Sequence, residues 1–269
     1  RGGATGAGGA PGSVAAGGAG TLGTADAAAA AGAVQEMGLE VAAYLHPADA
    51  GSGGAIEAVL AELGPQIAAR RRVAAARALR CYAGRAAVCE GGSALAVAAF
   101  ESERAVGVLS MPEAVSAVLL ECTADVVEGG GAGENEDQLG LLTECAQTLS
   151  SYLTCVQALA TPSHRSAVEA ALSACCTGAP VYLQLPHAAA PAVALSVLSL
   201  GHAVLCAPRP DGTAADASPI GAAASALERH RDADVAARAR EVSALVGALA
   251  APRYVPLGEA PGYAAPSGD

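Results

Sequence analysis

The chain has 269 residues, is 52% hydrophobic and only 15% charged, and carries a formal net charge of −11. That length and apolar content suffice for a sizeable core without disulfide staples. The acidic balance, with 15 basic residues all of them arginine, argues against nucleic-acid backbones and anionic membrane surfaces as partners. Lysine is absent, and Phe, Ile, Asn, Met and Trp are scarce. These residue types share A/T-rich codons, so the bias reads as a GC-rich gene rather than as function.

In chain order, residues 1–20 are a Gly/Ala-rich segment expected to be disordered. "ADAAAAAGAVQEMG" favours helix by alanine content, and "EVAAYL" reads as a strand closed by the turn residues "HPADAGSGG". "AIEAVLAEL" and "ALAVAAF" read as helices, "RAVGVLS" as a strand before Met111-Pro112, and "EAVSAVLLECTA" as an amphipathic helix. "EGGGAGENED" is a loop. Pro162-Ser163 opens a helix whose apolar residues at 167, 168, 171, 172 and 175 follow helical spacing, and Gly178 breaks it. "VYLQL" (181–185) then forms a short, near-continuous apolar run, the pattern of a parallel strand buried on both faces. "HAVLCAP" and "RYVPLG" repeat that signal after further helices.

Helix and strand in alternation predict an α/β fold, a parallel sheet flanked by helices. The competing reading is an all-helical armadillo- or HEAT-like repeat, suited to segments such as "RRRVAAARALRCYAG". That reading lacks a fixed period of about 33 to 47 residues, which such repeats show.

Arg70, Arg71 and Arg72 form the single basic run and read as a solvated helix face. The eight cysteines show no CxxC and no Cys/His ligand spacing, so they read as buried thiols in a reducing compartment. His46, His164, His187, His202 and His230 are scattered and read as surface or helix-end residues. No signal-peptide core, no bilayer-length apolar run, no phosphate-binding loop and no nucleophile elbow is present in these residues. A cytoplasmic or organellar setting is the expectation.

Several segments in order resemble the N-terminal part of the pyruvate decarboxylases, thiamine-diphosphate enzymes. They are "TLG" (21–23), "AVQEMGLEV" (33–41), "PAD" (47–49), "AIEAVLAELG", "CEGGSALAVAAF" (89–100), "AVGVLSMPEAVSAV" (105–118), "CAQTLSSY" (145–152) and "SHRSAVEAALSACCTGAPVYLQLP". "HAVLCAPRP" and "AAPRYVPLGEAPGYAAP" are similar to the start of the family's middle domain. The resemblance spans about residues 21–266, with one insertion between Asp49 and Glu90. It implies a pyrimidine-binding domain over 21–187 and a partial middle domain over 188–269.

The resemblance further implies a lyase that decarboxylates a small 2-oxo acid such as pyruvate to an aldehyde, using thiamine diphosphate and Mg2+. Glu90 would hydrogen-bond the aminopyrimidine, Asp49 would manage protons, and Pro112 would sit in the turn beside the cofactor. A homo-oligomer, dimer or tetramer, would complete each site, with no nucleic-acid or membrane partner. The departures are an absent histidine pair, a "PAD" turn without its glycine, and no Gly-Asp-Gly motif with a downstream Asn to hold the metal. This chain is therefore expected to be the N-terminal portion of an enzyme, incomplete on its own for catalysis. The alternatives are a non-catalytic degenerate relative, or the helical-repeat scaffold.

Overall fold

The computed structural model describes residues 55–86, 111–128, 136–155, 161–185, 189–207, 209 and 214–250. Among them the chain is helical, with no strand. The helices are α1 (Ala55–Ala61), α2 (Ala69–Ala86), α3 (Met111–Glu128), α4 (Glu136–Cys155), α5 (Pro162–Thr177), α6 (Ala179–Tyr182), α7 (Ala190–Cys206), α8 (Ser218–Leu227) and α9 (Ala233–Ala250).

The start of α5 follows from its residues. The Thr161 side chain accepts a hydrogen bond from the His164 backbone N–H at 3.3 Å, and Pro162 supplies a preset φ in the first turn. Val168, Ala171, Leu172 and Cys175 are buried at the expected helical spacing. Gly178 ends the helix, but in the right-handed region at φ −74°, so the chain re-enters a helical turn rather than extending.

That re-entry overturns the parallel-sheet α/β fold expected from the sequence. Residues 181–185 are the end of α6 and a turn. Ala179, Tyr182 and Leu185 are buried while Gln184 is exposed, a spacing of three rather than the two of a strand. The second expected strand, within 202–208, is helical through Cys206 as the end of α7. Gly201, just before that run, lets two helices approach. A methyl added at Gly201 would lie 3.0 Å from Ile220 Cγ2 on α8. The strands expected at 40–45, 105–109 and 253–258 lie outside the described residues.

The helices stack in a consistent register. α2 meets α4 through Arg77 and Glu144, and through Arg80 and Gln147, each pair 67 residues apart. Val73 and Gly140 approach at the same separation. α4 meets α7 through Gln147 and Ser196, and through Ser150 and Ser199, each 49 apart. α3 meets α5 through Glu113 and Ser163, 50 apart, and Thr123 and Cys175, 52 apart. A near-constant separation along two helices means that they run parallel.

Two layers result. α2, α4, α7 and α9 pack side by side in one, and α3, α5 and α8 in the other, with α3 against α4 and α5 against α7. α1 rests on α2, and α6 contacts α5, α7 and α8. α8 and α9 form an antiparallel hairpin: Glu228 pairs with Ser243, and Gly221 lies against Val246. One buried cluster runs continuously from Val59 to Val242 through both layers. Among the described residues, the helices of each layer bury their apolar faces against their neighbours.

Candidate functional site

Glu90 and Asp49, the two residues expected to do chemistry, lie outside the described residues. Pro112 is described. It is buried in the first turn of α3, behind Met111. Glu113 beside it accepts a hydrogen bond from the Ser163 hydroxyl at 2.5 Å, tying the starts of α3 and α5 together. This local geometry is the packing of two helix starts. No cluster of three His, Cys, Asp or Glu side chains suited to a metal occurs among the described residues. No catalytic step through thiamine diphosphate or Mg2+ is derived from these residues.

Three polar arrangements stand out instead. The first crosses the layer of α2, α4 and α7. The Glu144 carboxylate, 8% exposed, takes Arg77 Nε at 3.0 Å on one oxygen and has Arg80 at 3.4 Å from the other. Arg80 also donates to the Gln147 side-chain oxygen, and Gln147 Nε2 donates to Ser196 Oγ at 3.1 Å. Thr148 Oγ1 reaches back to the Ala76 carbonyl at 2.9 Å. These bonds tie α2 to α4 and α4 to α7 at several points along the layer.

The second is Arg72, read from sequence as part of a solvated face. It is buried. Nε donates to the Leu63 carbonyl at 3.0 Å, and both terminal nitrogens meet Glu121 at 2.9 and 2.8 Å. Burial pulls its pKa down, but the bond and charge of Glu121 outweigh that and the net direction is up. The sequence signal was helical phase: Arg72 falls on the same face as buried Ala75, Ala76 and Leu79.

The third is a thiol cluster. Cys122 on α3, Cys145 on α4, and Cys175 and Cys176 on α5 are all buried and free. Burial pushes Cys122 and Cys176 up to about 12 and Cys175 to about 11, and holds Cys145 well above the ordinary thiol value. They are inert, neutral core residues. Thr123 Oγ1 lies 3.2 Å from Cys175 Sγ. The buried Tyr182 hydroxyl sits beside this pair without a well-formed hydrogen bond.

His164, in the first turn of α5, and His230, just past the end of α8, are helix-end residues as expected, and both are buried. A groove of about 160 Å3 is lined by Glu169, Leu172, Val204 and Ile220 with Asp216 at its rim. Both carboxylates are engaged, Glu169 with Arg209 and Asp216 with the Ser218 backbone N–H at 3.0 Å.

No family model, curated protein or solved structure matches the chain. The likeness to pyruvate decarboxylases therefore finds no support from comparison. Among the described residues, no helix is long and apolar enough to cross a membrane.

Proposed function

We propose that the chain is a non-catalytic helical scaffold that holds a protein partner on the outer surface of its stacked helices. The observation that carries this reading is the near-constant register of α2, α4 and α7 in one layer and of α3 and α5 in the other. Stacked helix layers present extended, rigid surfaces, and binding is what such surfaces serve. Their polar bonds are spent between helices, at Arg72, Glu144 and Gln147, and so hold shape.

The decarboxylase reading had a parallel sheet as its premise, and that premise fails at 181–185 and 202–206. A direct test sets the two readings side by side. The purified full chain is assayed for 2-oxo acid decarboxylation with Mg2+ and thiamine diphosphate, beside Glu90→Gln. It is also used to isolate a stoichiometric partner from its native extract, with binding then re-measured between purified components. The scaffold reading expects equal background rates in both samples and a partner whose affinity ignores the cofactor. Turnover that depends on Glu90 would overturn it.

A further inference from the structure

The outer face of α3 carries two of the three large hydrophobic side chains exposed among the described residues, Leu120 at 38% and Val127 at 40%. They are seven residues apart, so they lie on one side of the helix, two turns from each other. Exposed Ala124 falls between them. Leu120, Ala124 and Val127 thus line one exposed stripe along the outer face of α3.

The flank of the stripe is acidic. Glu121, Asp125 and Glu128 are all exposed on α3. Glu121 is neutralised by Arg72, whereas Asp125 and Glu128 make no ion pair within the described residues. On the other flank lies α5, parallel to α3, whose exposed positions Ser166, Ala170, Ser173 and Thr177 are small. Val127 reaches this side: a methyl added at Gly178 would meet Val127 Cγ2 at 3.1 Å. Large apolar residues on α3 beside small, mostly hydroxyl-bearing ones on α5 make a shallow trough, apolar on its α3 side, with a negative rim along that edge.

We propose that this trough is the docking surface of the scaffold, and that its occupant is a basic amphipathic helix of a partner protein. This rests on the scaffold reading and names its partner chemistry. The occupant's apolar face would cover Leu120, Ala124 and Val127, matching their two-turn spacing. Its lysines or arginines would face Asp125 and Glu128. Charge complementarity favours a basic occupant, since the chain as a whole is at −11 and supplies no lysine of its own.

The test uses the full chain and a synthetic amphipathic helical peptide of leucine and lysine, with a leucine–glutamate peptide of the same spacing as control. Affinity is measured by titration calorimetry for the wild type, for Leu120→Ser/Val127→Ser and for Asp125→Lys/Glu128→Lys. Asp234→Lys, an exposed carboxylate on α9, is the distal control. All four substituted side chains in the trough are solvent-exposed, and circular dichroism checks that each variant keeps the wild-type fold. The expected result is binding of the basic peptide only, weakened about tenfold or more by either trough variant and left unchanged by Asp234→Lys. Weakening by Asp234→Lys equal to that of Asp125→Lys/Glu128→Lys would reduce the interaction to net charge and overturn the proposal. So would binding indifferent to Leu120→Ser/Val127→Ser. If a native partner binds with full affinity to both trough variants, the scaffold reading stands and this surface falls. If no partner binds at all while Glu90-dependent turnover is found, the scaffold reading itself falls.

Discussion

The Tyr152 hydroxyl lies 2.9 Å from His164 Nδ1, and both side chains are buried. The rings meet edge to face at 6.1 Å. One residue is on α4 and the other is in the first turn of α5, so this contact ties the two layers together. Tyr152→Phe keeps the ring and removes the bond. It should cost about 1–2 kcal/mol, the range for a buried hydrogen bond whose partner is left behind. Urea denaturation checks this, and an unchanged midpoint would show that the contact holds nothing.

Arg72 makes a sharper case. Its guanidinium is buried and its partner Glu121 is 41% exposed. Glu121→Ala should therefore cost about 1–3 kcal/mol, less than a fully buried pair because water can solvate part of the site. Glu241→Ala breaks the exposed Arg238–Glu241 pair of α9 and should cost under about 0.5 kcal/mol. Similar losses in the two variants, measured by thermal melting, would contradict the assigned burial of Arg72.

Two glycines should respond in opposite directions to the same substitution. Gly247 on α9 has open space around it, so Gly247→Ala should stabilise by about 0.5–1 kcal/mol through helix propensity. Gly201→Ala gains the same propensity but drives a methyl to 3.0 Å from Ile220 Cγ2, in a buried contact. Overpacking of about 1–3 kcal/mol should outweigh the gain. A stabilised Gly201→Ala protein would mean that α7 and α8 do not approach as closely as described.

The buried thiols set a pH dependence. Their folded pKa values are raised, to about 12 for Cys122 and Cys176 and about 11 for Cys175, from 9.0. In the unfolded chain they ionise as pH passes 9, while in the fold they stay neutral. Their contribution is thus fully present below pH 9 and is lost as pH rises from 9 toward 11–12. Stability should fall across that window by about 1.4 kcal/mol per pH unit per thiol. Denaturation at stepped pH, with Cys122→Ala and Cys175→Ala flattening the slope, is the check. A flat profile through the window would place these thiols in contact with water.

How much of this was legible in the sequence depends on what each signal encodes. α5 was readable because three independent cues agreed: Pro162-Ser163 at its start, apolar residues at helical spacing, and Gly178 at its end. The runs at 181–185 and 202–206 carried only hydrophobicity, which strands and buried helices share. Gly201 had two meanings, chain break and close approach, and only packing against Ile220 selects the second. Arg72 was lost in the run of three arginines, since charge density hides helical phase. The layered register escaped because its neighbour separations differ, 67 between α2 and α4 against 49 between α4 and α7, so no fixed period exists to be found. Glu90 and Asp49 came from the resemblance to a decarboxylase, whereas the α3 trough needs three-dimensional neighbours to be seen at all.

The central claim is the parallel stacking of helices within a layer. Spin labels on genetically encoded unnatural amino acids, placed at Thr143 and Ala192 and separately at Ser150 and Ser199, report it by pulsed dipolar spectroscopy. Both pairs share the 49-residue separation that relates α4 to α7. The account predicts equal distances for these matched pairs, and a longer one for the crossed pair Thr143 and Ser199, displaced by about 10 Å along the axis. Unequal matched distances, with the crossed pair shorter than either, would contradict it.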